Sequence, residues 1–313
     1  MIRILVTDAL EPFLRETQVP PDVVVELLPA EAPVPEGDYA GLLVHVARRI
    51  GAAELDRLPE LRIVSNYGVG YDNIDVAAAR ERGVAVTNTP DVLTMATAEL
   101  TWALILATAR RLGEGERLVR SGEWRGWEPM QLLGTALNGK VLGLVGAGRI
   151  GREVGRRAGA FGMRVIYWGR TRRPEWEQET GATWTELDRV LAEADVVSLH
   201  VALTPETRCL IDRRALDLMK PSAILINTAR GAVVDEEALI EALEAGRIRA
   251  AGLDVYAREP EVPERLRALE NVVLLPHLGS ATEEARWGMW RLAWENLLRG
   301  VRREPLLTPV FAP

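Results

Sequence analysis

Residues 141–151 read VLGLVGAGRIG, an apolar run that passes through a glycine turn into a segment of helical composition. Gly146, Gly148 and Gly151 have the G-x-G-x-x-G spacing of a dinucleotide-binding turn. The first glycine permits the tight turn, the second keeps a Cβ away from a pyrophosphate, and the third lets the helix pack close to the strand. A helix is predicted over residues 149 to about 161. The N–H groups of its first turn would point at that pyrophosphate, with Arg149, Ile150 and Gly151 as candidate cofactor-binding residues. The motif alone is weak, because glycine-rich turns also serve kinases and plain αβ connections. Context strengthens it: VLGLV is a buried-strand run, REVGRRAGAF is helical, and the strand MRVIYW (163–168) follows at βαβ distance.

Outward from that turn, 313 residues favour two domains over one core. An apolar content of 48% with 27% charged residues describes an ordinary soluble globular protein. A net charge of -7 argues against a nucleic-acid partner, because the totals supply no basic footprint. The only lysines are Lys140 and Lys220, so anionic partners must be met by local arginines, and the arginine excess itself is read as genome composition. The single cysteine, Cys209, excludes an internal disulfide and any cysteine metal cluster, and no metal is expected. Cys209 is expected to be a partly buried thiol. The start, MIRILVTDAL, is interrupted by Asp8 and reads as a first strand, not a signal peptide. Residues 92 to about 112 form a nearly all-apolar helix containing Glu99, which is too short and interrupted to span a bilayer and is expected to be buried. A cytoplasmic location with no membrane partner follows.

In chain order, RILVTD, VVVELL, GLLVHV, RIVSNY and VAVTNT are short β-branched runs separated by helical patterning at 52–58 and 76–82. They predict a small parallel α/β domain. The apolar helix and the polar GEWRGWEPM lead from it into the nucleotide turn. After residue 168, ADVVSLHV, AILINT, AAGLDV and NVVLLP continue a doubly wound sheet of about six strands or more, with helices at IDRRALDLM and DEEALIEALEAG. A final helix, about 282–298, is expected to return to the first domain, its tryptophans being read as core packing. The predicted division is residues 1–98 plus 280–313 for a substrate-binding domain and 99–279 for a dinucleotide-binding domain.

Ligands of open α/β sheets sit beyond the carboxyl ends of the strands. Three strand ends carry ionisable side chains: Arg230 after AILINTA, Glu259 after AAGLDVYAR, and His277 after NVVLLP. Each has a task in reducing a carbonyl. His277 suits the proton donor that a nascent alkoxide needs. Glu259 would favour and orient its charged form. Arg230 offers a planar fork for a substrate carboxylate and carbonyl. His45 and His200 lack such company and are read as structural.

GLVGAGRIG, NTARGAVVDEEAL, AGLDVYAREP and LLPHLGSAT resemble the four signatures of the D-isomer-specific 2-hydroxyacid dehydrogenases, and GVGYDNIDVAAARERGVAVTNTP extends the likeness over nearly the whole chain. WGRTRRPEW, LLPHLGSAT and the segment with Trp127 and Pro129 are most similar to glyoxylate/hydroxypyruvate reductases. The resemblance implies two Rossmann-like doubly wound parallel-sheet domains with a cleft between them, and a homodimer formed through the nucleotide domain. It implies that Arg230, Glu259 and His277 are catalytic. It also implies that the backbone N–H groups of Val69 and Gly70 hold the substrate carboxylate, with Ser280 and Trp127 as further substrate contacts. Asp254 matches an aspartate that contacts the nicotinamide amide, and Thr97, Thr228 and Gly279 match other cofactor contacts. Ala147 stands where the family commonly has leucine, a conservative departure.

The expected activity is reduction of a small 2-oxo acid. A 3-phosphoglycerate dehydrogenase is the alternative enzyme, and a cofactor-sensing, corepressor-like protein the alternative class. NAD-binding turns place an Asp or Glu about 20 residues after the glycines, on the ribose 2′-hydroxyl. Here the strand ends in Trp168 and Gly169, followed by Arg170, Thr171, Arg172 and Arg173. Those side chains suit a 2′-phosphate, so NADPH is the expected cofactor and NAD(H) the lesser one.

Overall fold

The computed structural model describes residues 1–311, which divide into two compact units, Met1–Leu93 with residues 281–311, and Thr94–Ser280. The crossings thus fall at 93/94 and 280/281, the first at the start of a helix and not inside it.

In the first unit, β1 (Ile2–Thr7), β2 (Val23–Leu28), β3 (Gly41–His45), β4 (Ile63–Tyr67) and β5 (Ala85–Thr87) pair in parallel in the order β2-β1-β3-β4-β5. Every residue of β4 is buried, as expected of a parallel strand covered on both faces. The Glu283–Val301 helix packs on β3 and β4, capped by Thr282 Oγ1, which accepts from the Ala285 N–H at 3.2 Å. Its tryptophans belong to this core: Trp290 stacks between Phe13 (5.7 Å) and Trp294 (5.4 Å), and its Nε1–H donates to Thr17.

The second unit contains β6 (Val141–Val145), β7 (Arg164–Trp168), β8 (Thr183–Trp184), β9 (Val196–Leu199), β10 (Ile224–Asn227), β11 (Ala250–Leu253) and β12 (Val272–Leu274). All seven strands are parallel, in the order β12-β11-β10-β9-β6-β7-β8. From β6 the chain winds outward through β7 to β8, then returns to lay β9 on the other side of β6. That reversal is the switch point where such sheets bind ligands.

Two elements depart from expectation. The apolar helix runs only over Thr94–Ala109, because Arg111 adopts a left-handed conformation (φ 54°) and a separate helix, Leu112–Arg120, begins. Glu114 holds the Arg111 guanidinium at 2.6 and 2.8 Å and fixes the break. Cys209 is exposed and not partly buried: it too is left-handed (φ 51°), and its N–H is drawn inward to the Ala232 carbonyl at 2.9 Å. No helix of the described residues is long and apolar enough to cross a membrane.

Candidate active site

β6 ends at Val145, and Gly146 opens the turn at φ 104°, its N–H donating to Trp168 O at 2.8 Å. A Cβ on Gly146 would lie 2.7 Å from the His200 carbonyl oxygen, and one on Gly151 would lie 2.2 Å from Gly146 O. The turn is therefore closed against the end of β9 and against its own helix, Arg149–Ala158. Its other side is open, since a Cβ on Gly148 would meet no protein atom within 4 Å. An open face beside the N–H groups of Arg149, Ile150 and Gly151 fits a pyrophosphate. His200 is a strut of this turn. Its Nε2 lies 2.9 Å from Ser198 Oγ, and burial pushes its pKa down to about 3, so it stays neutral. His45 is likewise depressed by burial, and its Nδ1 accepts from the Ala47 N–H.

β10, β11 and β12 are neighbours, which brings the loops bearing Arg230, Glu259 and His277 to one edge of the sheet. Asn227 shapes the first loop: its Oδ1 accepts from Ala229 N at 3.0 Å and its Nδ2 donates to Arg230 O at 2.9 Å. Gly231 lies flat on the second loop, where a Cβ would fall 1.9 Å from the Tyr256 carbonyl carbon. No side chain fits there. In the second loop Glu259 accepts from the Tyr256 N–H at 3.0 Å and meets His277 Nδ1 at 2.7 Å. Asp254, fully buried, gathers the third loop: its carboxylate accepts from Leu278 N (2.7 Å) and Gly279 N (2.8 Å), and its carbonyl accepts from His277 N (2.9 Å). His277 is thereby held left-handed, at φ 56°.

The charges follow from this packing. Burial raises the pKa of Asp254. Burial also pushes Glu259 upward, but the hydrogen bond and charge of His277, the Tyr256 N–H and Arg230 outweigh it and leave the carboxyl below its ordinary value. The Glu259 carboxylate is therefore kept as pH falls below neutrality, and what it contributes to stability is lost only as pH falls through that depressed value.

Thr97, Thr228, Asp254 and Gly279 lie together. Thr101 Oγ1 donates to Thr97 O at 2.8 Å and lies 2.9 Å from Thr228 Oγ1, and the Cβ position of Gly279 is 3.6 Å from Thr97. Ser280 closes this unit, half-buried beside Gly279. Sequence reasoning missed Thr101, Asn227 and Tyr256; the last two stand inside NTARGAVVDEEAL and AGLDVYAREP, but the motifs do not mark them as the residues that shape these loops.

At the end of β7, Arg170, Thr171, Arg172 and Arg173 are all exposed. They are not equivalent. Arg172 is engaged by Glu177 at 2.8 Å, and that carboxylate also accepts from Tyr167 OH at 2.7 Å. The charge of Arg170 acts on Glu206, in the loop after β9. Trp127 is 82% exposed. Val69 and Gly70 follow β4 in the first unit, after Gly68, and are half-buried.

The profile of "D-isomer specific 2-hydroxyacid dehydrogenase, NAD binding domain" matches residues 102–279. Glyoxylate reductase from Thermococcus litoralis is 52% identical over 267 residues, 84% of this chain and 81% of that protein. The structure of an NADPH-dependent glyoxylate/hydroxypyruvate reductase from Sinorhizobium meliloti, in complex with NADP and malonate, superimposes with a TM-score of 0.89 at 37% identity, covering 99% of this chain and 96% of that one. D-lactate dehydrogenase from Aquifex aeolicus, complexed with NAD and lactic acid, gives a TM-score of 0.86 at 29% identity, with 99% of each chain covered.

Proposed function

The chain belongs to the D-isomer-specific 2-hydroxyacid dehydrogenase family, and from that premise we propose that it reduces glyoxylate or hydroxypyruvate to the D-2-hydroxy acid, with NADPH preferred over NADH. The observation that carries this reading is the Glu259–His277 contact at 2.7 Å, between the loops after β11 and β12, the first of which neighbours β10, the strand before Arg230. Gly146, Gly148, Arg149, Ile150 and Gly151 would hold the pyrophosphate of the cofactor, Arg170, Thr171, Arg172 and Arg173 its 2′-phosphate, and Thr97, Thr228, Asp254 and Gly279 its nicotinamide end. When bound, the cofactor supplies the hydride.

The protein's own residues do the rest. Arg230 binds the substrate's carbonyl and carboxylate, the Val69 and Gly70 N–H groups hold the carboxylate, and Ser280 adds a polar contact. As the carbonyl carbon gains hydride, its π bond breaks and the oxygen becomes an alkoxide. With Nδ1 engaged by Glu259, the Nε2 nitrogen of His277 delivers the proton to that oxygen. Glu259 holds the ring in place through Nδ1.

The test is kcat/KM for glyoxylate, hydroxypyruvate, pyruvate and phosphohydroxypyruvate with both reduced cofactors. Glyoxylate or hydroxypyruvate should lead. A lead for phosphohydroxypyruvate would instead point to a 3-phosphoglycerate dehydrogenase. Tight cofactor binding with no turnover of any 2-oxo acid would point to a corepressor-like sensor.

The reading includes a homodimer formed through the Thr94–Ser280 unit. Leu112, Val119, Trp124, Trp127, Met130 and Leu133 are exposed along one stretch of that unit, apolar surface that a second copy would cover. We expect sedimentation to give twice the chain mass. We also expect Trp127 to narrow a neighbouring subunit's pocket, favouring two- and three-carbon acids. Equal kcat/KM for hydroxypyruvate and a bulky aromatic 2-oxo acid would remove that role.

A further inference from the structure

Beyond β4, the side chains around residues 68–70 bind only the carbonyl groups of this loop. Asn66, fully buried, donates from Nδ2 to Gly70 O at 2.7 Å and to Gly68 O at 3.3 Å, and the Thr89 N–H reaches Gly68 O at 3.0 Å. Asn88 Nδ2 donates to Val69 O at 2.8 Å. Asn73 Nδ2 donates to Asn66 Oδ1 at 3.1 Å, so the Asn66 amide must turn its nitrogen to the loop. In a planar trans peptide each N–H points opposite to the carbonyl before it. Drawing the Gly68 carbonyl inward therefore turns the Val69 N–H outward, and holding the Val69 carbonyl turns the Gly70 N–H away from Asn88. Among the described residues neither N–H has an acceptor.

Asn88 is itself braced by the C-terminal tail. Thr308 Oγ1 donates to Asn88 O at 2.6 Å, and fully buried Asn296 on the last helix donates from Nδ2 to Thr308 Oγ1 at 2.9 Å. The Leu307 N–H returns to Asn296 Oδ1 at 2.9 Å, closing the tail onto the helix.

We infer that Asn66 and Asn88 are positioning residues that aim the Val69 and Gly70 N–H groups at the substrate carboxylate, with Asn88 held in place by Asn296 through Thr308. The inference rests on the carboxylate-binding role proposed above for these two N–H groups. Donors oriented before the ligand arrives lose no reorganisation energy on binding it, and each misaligned bond to a charged group weakens binding about tenfold or more.

The experiment uses the full chain. In Asn88→Ala the glyoxylate KM and the inhibition constant of oxamate, a substrate-shaped carboxylate, should both rise about tenfold, with kcat within about threefold and NADPH affinity unchanged. Asn88→Ser, which keeps a donor, should recover part of the loss. Thr308→Val should give the same pattern at about threefold, and it carries the test if Asn88→Ala does not fold. Unchanged KM and oxamate inhibition overturn the inference, as does a fall in kcat with KM unmoved. Wild-type protein that turns over none of the 2-oxo acids overturns the carboxylate-site reading itself, and this inference with it. Wild-type turnover with indifferent variants overturns the positioning role alone.

Discussion

His277→Ala should lower kcat for glyoxylate reduction by about 10²-fold or more while NADPH binding survives, the loss expected when a general acid is removed. The imidazole is built for one proton. Its Nδ1 is engaged by Glu259 at 2.7 Å, and its backbone is pinned by Asp254 on the adjacent strand end, so little else in its surroundings depends on the ring. A near-normal kcat in His277→Ala would remove that role. Glu259→Gln reads the same pair differently. Burial raises the Glu259 carboxyl, but His277, the Tyr256 N–H and Arg230 hold it below its ordinary value, so wild-type kcat should fall only as pH drops through that value and the carboxylate is lost, an acidic limb that Glu259→Gln should abolish. A pH–kcat profile unmoved by Glu259→Gln would count against the pair.

What could be read in the sequence followed from covering. The strands flanked by helices on both faces are short, mostly apolar runs, so β1 to β7 and β9 to β12 were visible as apolar words. The two-residue edge strand β8 was not, because an element that short cannot show a period, and the helices Pro174–Thr180 and Leu187–Glu193 were not read either, although helices no longer, such as Val76–Glu81, were. The break at Arg111 depends on a clamp by Glu114 that composition does not mark. In the site, Arg230, Glu259 and His277 could be placed because each follows an apolar run, and strand ends are where such sheets put chemistry. Their supports were hidden. Gly231 against Tyr256, Asp254 beneath Leu278 and Gly279, and Asn88 on the Val69 carbonyl all depend on which loops lie against each other, a property of strand order. The exposure of Cys209 was missed for the same reason: its left-handed backbone answers to Ala232, more than twenty residues along the chain.

Arg170→Ala should weaken NADPH by about 10- to 150-fold and leave NADH nearly unchanged, because a charge-assisted hydrogen bond contributes roughly 1.5 to 3 kcal/mol. Trp168 ends β7 and Gly169 follows it, so no acidic side chain stands at that strand end. The ion pairs among the described residues decide which arginine to test. Arg172 is committed to Glu177, a carboxylate further anchored by Tyr167 OH, so recruiting it to a phosphate would mean breaking a formed ion pair. Arg172→Ala should accordingly change NADPH affinity less than Arg170→Ala. Arg170 has no such commitment; its neighbouring charge, Glu206, acts on it only at a distance. That acid also sets the direction of a converse test, since Glu206→Gln removes a charge that repels a 2′-phosphate and should tighten NADPH modestly. Measuring kcat/KM for both cofactors with one 2-oxo acid, in wild type and the three variants, separates these contributions. A wild-type preference for NADH of about tenfold or more, a difference of about 1.4 kcal/mol, would mean that the arginines after β7 are a solvated basic turn and that the ribose is recognised by other groups.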